Sequence, residues 1–358
     1  MQRRDFLKTT AILGAVTAVP SLYADSFDTS NRRVFDVTFR HAIKESGKFT
    51  RLWVPIPMLA GYQTVSDEIK ISGNFTKQIH LYGDVPTVYA EFDGVSSPIL
   101  DVNFQVSTFE RNTDFSKVKF DESEVLTSNV AKYLASTAHI KTDGVVKQKA
   151  DEITAGVKGD LERARAIYEW VATHMQRDES VVGCGLGDAA AILSSGKLYG
   201  KCTDINSVFV ALCRAVGIPA REIFGIRVGA SRMSGAIGKA DEKGLAAITG
   251  GQHCRAEFYL KGYGWIPVDP ADVAKVRLAE KLSLNDSKFL QVKEFLFGNW
   301  EMCWVGFNTA RDFVLEPKPA QFPINNFGYP YAEVDENVVD YYNAKEFSYS
   351  YSSQEIKI

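Results

Sequence analysis

Cys202 stands in Gly200-Lys201-Cys202-Thr203-Asp204, at the head of a segment whose Ile205, Phe209, Leu212 and Val216 form one apolar stripe. A thiol at a helix start lies where unpaired N–H groups and the helix dipole favour its ionised, nucleophilic form. The same N–H groups can hold an oxyanion developing on an attacked carbonyl. Cys202 sits three residues before Ile205 on the extended stripe, so it points inward toward other elements. Downstream, His253 opens a stretch with Glu257 and Phe258, Gly262-Tyr263-Gly264 turns it, and Trp265-Ile266-Pro267-Val268-Asp269-Pro270 returns. A hairpin of this kind brings a histidine and an aspartate onto neighbouring strands, where the carboxylate can set the imidazole's tautomer and aim it at a thiol. Taken singly, each has a structural reading: a core cysteine, a satisfied histidine, a turn aspartate before proline. Together they form an activated-nucleophile set in the order Cys, His, Asp. The spacing carries one conflict. With a turn over 261–264, Leu260 pairs with Trp265 and Asp269 falls opposite Ala256, three residues from His253. A regular ladder would place the two side chains on opposite faces, so a bulge is expected at Pro267, which lacks a ladder donor.

At these residues the chain resembles the transglutaminase-like superfamily. Gly200-x-Cys202-x-Asp204, running into Arg214-Ala215-x-Gly217-Ile218-Pro219-Ala220-Arg221, is similar to that family's nucleophile segment. His253-x-x-x-Glu257 and Gly264-Trp265-x-Pro267-x-Asp269-Pro270 are similar to its histidine and aspartate segments, in the expected order. The resemblance is firm over residues 150–275, and 183–188 with the region before it looks like bacterial exported members. It implies an α+β, papain-like core with helices packed on an antiparallel sheet. By position it implies Cys202 as nucleophile, His253 as base and Asp269 as orienting carboxylate, acting by acyl transfer at an amide through a thioester. Water as acceptor makes a peptidase or amidase and an amine makes a crosslinker; analogy favours hydrolysis. The implied partner is a peptide or protein amide, a cell-wall peptide among the options. Tyr199, Lys201, Asp188 and Gln252 are the expected oxyanion or wall residues. Arg255 departs from the aromatic that the family usually has two residues after the histidine, at the acyl-binding surface. The alternative is a catalytically silent binding module retaining the fold, against which the presence of all three triad types weighs.

The elements that must position these groups follow from periodicity. From Val34 to about Arg111 apolar residues alternate, as in Phe35, Val37, Phe39 and Leu100, Val102, Phe104, Val106, which reads as half-buried antiparallel strands. Leu52 to Pro57 suits an edge strand, since neither Pro55 nor Pro57 can donate. Spacings of three and four at Leu161, Ala164, Ile167 and Val171 read as a helix, as do 145–153 and 202–216, the last ended by Gly217-Ile218-Pro219. Strands follow at about 221–228 and 254–268, and the tail's Phe347, Tyr349, Tyr351 alternation suits one more. The expected organisation is a sandwich-like β-rich domain at 30–120, the catalytic core at 121–280 and an aromatic-rich extension at 281–358.

Composition bounds the rest. The 358 residues carry 41 Lys and Arg against 44 Asp and Glu, a net charge of -3, which argues against a nucleic-acid partner. With 45% hydrophobic and 12% aromatic residues the chain can bury real cores. Arg3-Arg4 with Phe6 and Leu7, then a short apolar stretch to Val19, reads as a twin-arginine-type signal over 1–24 and export to the bacterial periplasm. No apolar run reaches the 18 or more residues of a membrane span, so none is expected in the mature chain. Cys184, Cys202, Cys213, Cys254 and Cys303 are an odd set with no C-x-x-C spacing, compatible with none or two disulfides; Cys213 reads as core. His41, His80, His139 and His174 have no metal-ligand spacing, and no Walker motif follows Gly196-Lys197 or Gly200-Lys201. Gly185-x-Gly187-x-x-Ala190 lacks the preceding strand of a dinucleotide site. No cofactor is implied.

Overall fold

Period-two alternation becomes two facing sheets. The computed structural model describes residues 28–357 apart from 45, 46, 67, 119 and 322; the Arg3-Arg4 segment lies outside the described residues. The strand Asp28–Ala42 pairs antiparallel with Ile99–Asn112 on one side and with Tyr349–Ile356 on the other. Phe35, Val37 and Phe39 turn their buried faces toward Leu52 and Val54 of Phe49–Pro55 and Val88, Ala90 and Phe92 of Thr87–Asp93. Apolar residues therefore fill the space between the sheets, as in a sandwich. The strand Phe49–Pro55 is internal, held between Thr87–Asp93 and Tyr331–Val334, and not at an edge. Pro55 is its last ladder residue and Pro57 lies past it, so neither missing donor interrupts the pairing.

Residues beyond 280 are woven into both layers. Tyr331–Val334 and Tyr349–Ile356 complete the two sandwich sheets, and Phe39 stacks on Tyr351 with ring centroids 4.0 Å apart. Trp304–Asn308 joins a second region, a four-stranded antiparallel sheet ordered Gly264–Val268, Gln252–Leu260, Ala220–Arg227, Trp304–Asn308.

Helices Gly144–Ile153, Asp160–His174, Cys202–Ala215 and Pro270–Ala279 join one another and this sheet in a single apolar core. The helix Cys202–Ala215 is central, and all its residues but the last are buried. Of its polar members, Asn206 Nδ2 donates to the Cys254 carbonyl at 2.9 Å and Ser207 Oγ to Glu222 at 2.5 Å, while Asn206 Oδ1 is buried without a partner. Gly217 ends it at φ 84°, and the Ile218 N–H returns to the Cys213 carbonyl. Cys213 is wholly buried here. The fold is thus mixed α and β, with helices on an antiparallel sheet beside a β-sandwich. Among the described residues no helix is long and apolar enough to cross a membrane.

Glu257, on the same strand face as His253 and Arg255, joins the two regions. It receives Arg111 Nη1 of the sandwich strand at 2.5 Å and Arg221 Nη2 at 2.5 Å, all three groups largely buried. Against the penalty of burial, the two guanidinium groups hold its carboxyl below the usual range. Glu257→Ala leaves two buried cations without their partner and is expected to lower stability by about 3–5 kcal/mol, read by urea unfolding.

Candidate active site

The start of the Cys202 helix is clamped from beneath. Asp204 accepts the Lys201 N–H at 2.9 Å through one oxygen and the Gly187 N–H at 2.8 Å through the other. The glycine segment can approach this closely only without side chains: a Cβ at Gly185, whose φ is 90°, would lie 1.9 Å from Asp204 Oδ2. A Cβ at Gly200 would lie 2.3 Å from Asp204 Cβ. The Thr203 N–H is taken by the Cys184 carbonyl at 2.9 Å. Of the helix-start donors expected to face an oxyanion, the Cys202 N–H is thus the one without a partner among the described residues.

The histidine and aspartate meet without any bulge. The hairpin is one residue tighter than expected: Leu260 pairs with Gly264, and the register runs unbroken through Glu257–Pro267 to Ala256–Val268. Continued by one step, Asp269 falls opposite Arg255, two residues from His253 and on its face. Parity does what the expected bulge at Pro267 was invoked to do. His253 Nε2 lies 2.7 Å from Asp269 Oδ2, and both side chains are buried. Asp269 Oδ1 accepts the Asp272 N–H at 3.1 Å, capping the helix that Pro270 begins, so each carboxylate oxygen has a fixed partner. Trp304 Nε1 donates to the His253 carbonyl at 2.9 Å and holds the backbone behind the ring. With Nε2 given to Asp269, Nδ1 is the nitrogen left for proton exchange in the cleft.

A second carboxylate sits beside this pair. Asp272 Oδ1 is 3.5 Å from His253 Nε2, and both Asp272 oxygens are held by Arg227, at 2.5 and 3.0 Å. Against burial, Arg227 keeps Asp272 well below the usual carboxylate range. Burial and the Arg227 charge depress the imidazole, yet the Asp272 and Asp269 charges outweigh them and raise its pKa. His253, Asp269 and Asp272 place three potential metal-ligand atoms within 4.8 Å of one another. Here the guanidinium supplies the positive charge that this trio balances.

Three thiols converge at the helix start. Cys202 is pulled well below the ordinary thiol range by hydrogen bonds from Cys184 and then Cys254, against burial, with the His253 hydrogen bond and charge adding to them. Cys184 moves the other way, through its bond to Cys202 and then burial, and Cys254 is raised by burial and then by Cys202. These opposite shifts favour ionisation of Cys202 over its two neighbours. Cys184 is further placed by the Tyr329 hydroxyl, which donates to its sulfur at 3.0 Å. All five cysteines are free and buried.

Cys202 and His253 open onto one cleft of about 400 Å³. Lys201 and Gln252 line it, as expected, and the Gln252 amide nitrogen is buried without a hydrogen-bond partner. Tyr199 and Asp188 are not brought to it. Tyr199 is half-exposed in a short parallel pairing with Gln176, and Asp188 caps the helix Ala189–Ser195 through the Ala191 N–H at 3.0 Å. The two lie on either side of that helix, Asp188 capping its start and Tyr199 turned half to solvent after its end. Arg255, the departure from an aromatic, is wholly buried behind the site, its Nε 3.5 Å from Asp269 Oδ2. Sequence reading missed Asp272, Arg227, Arg177, Lys275 and the tail residues Tyr329, Tyr342 and Tyr349 that complete the cleft wall. Only Asp272 carried a signal, an acid three residues after a helix-capping aspartate.

The Transglutaminase-like superfamily pattern matches residues 147–270, the stretch holding all three expected catalytic residues. The chain belongs to the transglutaminase-like superfamily. An uncharacterized protein of Haemophilus influenzae is 45% identical to it over 359 residues, 96% of this chain and 95% of that protein. A crystal structure from Cytophaga hutchinsonii, provisionally assigned as a cysteine protease, superposes with a TM-score of 0.57 over 92% of each chain at 14% identity. The periplasmic domain of TgpA from Pseudomonas aeruginosa gives a TM-score of 0.38 at 15% identity, over 72% of this chain and 92% of that one.

Gly185→Ala puts a Cβ into both a left-handed backbone and the Asp204 carboxylate. It is expected to cost about 2 kcal/mol or more in thermal or urea unfolding and to slow alkylation of Cys202, whose helix start loses its clamp.

Proposed function

We propose that this protein is a thiol enzyme that breaks an amide through a thioester on Cys202, releasing the acyl group to water in preference to an amine. The observation that carries the reading is the buried imidazole of His253, fixed at 2.7 Å by Asp269 and sharing a cleft with a thiol of depressed pKa. His253 Nδ1 takes the thiol proton and the sulfur attacks the carbonyl carbon. The developing oxyanion is held by the Cys202 N–H and the Gln252 amide nitrogen, both without other partners. Collapse expels the amine, which leaves with the proton held by the imidazole, and a thioester remains. Water then gives a proton to His253, adds to the thioester, and releases a carboxylic acid and the thiol. Asp269 orients the ring and stabilises its charged form throughout. The substrate on this reading is a peptide or protein amide, with cell-wall peptide among the options, and the Arg3-Arg4 segment supports a periplasmic location.

Lowering the thiol and raising the imidazole both favour the thiolate–imidazolium pair over the neutral pair. Iodoacetamide should therefore modify Cys202 well below the ~8.5 of a free thiol. His253→Ala should move that profile upward by about one pH unit or more. A Cys202 that reacts slowly and with an ordinary thiol profile would remove the enzyme reading in favour of a silent binding module.

Incubation with a casein digest and hydroxylamine should yield peptide hydroxamates by interception of the thioester, and Cys202→Ala should yield none. Gln252→Ala should lower hydroxamate formation about 10²-fold, the usual loss for one oxyanion donor.

A further inference from the structure

The cleft carries more positive charge than its own residues neutralise. Arg177, Lys201 and Lys275 line it, against one lining carboxylate, Glu179. Arg177 spends its guanidinium on Glu179, at 2.6 and 3.1 Å, and Lys201 reaches the same carboxylate at 3.8 Å. The fourth lining cation, Arg227, is committed to Asp272. Lys275 is the exception. It lies one helical turn beyond Asp272, half-buried, and its ammonium has no hydrogen bond or ion pair among the described residues. Burial, then the charges of Arg227 and Arg177, act against its protonated form, while Asp272 and the Cys202 sulfur favour it. The net effect lowers its pKa, and a partly desolvated ammonium with no direct ion-pair partner is stabilised by a ligand that supplies one.

We propose that Lys275, backed by Arg177 and Lys201, is a specificity-determining site that reads a carboxylate flanking the scissile amide, so that the acyl donor is an acidic peptide. The inference rests on Cys202 being the reacting thiol. It accounts for a cleft that gathers three cations beside a nucleophile whose own ion pair with His253 is already balanced. The carboxylate is either the terminal one of the substrate or an acidic side chain, and the same ammonium serves both.

Iodoacetate and iodoacetamide differ only in a carboxylate, so their rate ratio at Cys202 measures this charge while the thiol's nucleophilicity cancels. Rates are read by mass spectrometry of the Cys202 peptide in the full chain and referred to the same ratio for N-acetylcysteine. The wild-type ratio should exceed the reference. Lys275→Gln should lower it about fivefold, Lys275→Glu should lower it further, and Lys275→Arg should restore it. Glu179→Gln, which removes the opposing charge without touching Lys275, should raise it. Protection of Cys202 from iodoacetamide by N-acetylglycine assigns a terminal carboxylate; protection by N-acetylglutamate methylamide assigns a side chain. Ratios unchanged across the Lys275 and Glu179 variants, or protection by neither compound, overturn the subsite while leaving the thiol chemistry intact. A Cys202 inert to both reagents removes the enzyme reading and this inference with it.

Discussion

The contact between His253 Nε2 and Asp269 Oδ2 is what the rest of the site is built around, and it is a consequence of strand parity. Side chains on a ladder alternate faces, so a hairpin one residue looser would have sent the two groups to opposite sides of the sheet. The tighter turn over residues 261–263 places Asp269 across from Arg255 and hence on the histidine's face. Asp269 then closes the strand and opens a helix in one residue. Its second oxygen caps that helix, and the helix in turn delivers Asp272 to the imidazole and Lys275 to the cleft. A single backbone register therefore sets the imidazole's tautomer, its supporting charge and the cation beside it.

Electrostatic order in the site is achieved by pairing nearly every buried charge, in keeping with the cost of leaving one alone. Arg227 neutralises Asp272, Arg255 backs Asp269, and Glu257 is shared by Arg111 and Arg221. The thiols follow the same logic at lower cost. The thiol of Cys202 is lowered while those of Cys184 and Cys254 are raised, which favours the thiolate at the helix start over the other two. Glu257 belongs to the same motif and the same strand face as His253, yet its work is structural: it ties the sandwich strand Ile99–Asn112 to the four-stranded sheet.

The sandwich and the tail are part of the site's scaffold. Trp304 brings the fourth strand of the catalytic sheet and fixes the His253 backbone, while Tyr329, Tyr342 and Tyr349 close the cleft from elements whose neighbours pair with the sandwich. Tyr349 and Tyr351 alternate inward for the same reason as Phe35 and Phe39, since all four stand on adjoining strands of one sheet.

Local pattern determined much of this protein. The helices at 144–153, 160–174 and 202–215, the hairpin after His253, the final strand at 349–356 and the order Cys202, His253, Asp269 were all legible, because periodicity, caps and turn residues act over a few positions. Lys201 and Gln252 were legible as sequence neighbours of Cys202 and His253. Asp188 and Tyr199 do not line the cleft for a related reason: proximity in sequence to Cys202 does not say whether a side chain goes to a cap or to the surface. The interior position of Phe49–Pro55, the one-residue difference in hairpin register, and the arrival of Arg177, Lys275 and the tail tyrosines at the cleft were decided by tertiary structure. These depend on which strands become neighbours and on where distant segments converge, and no spacing along a single chain encodes the distance between residues that only packing brings together.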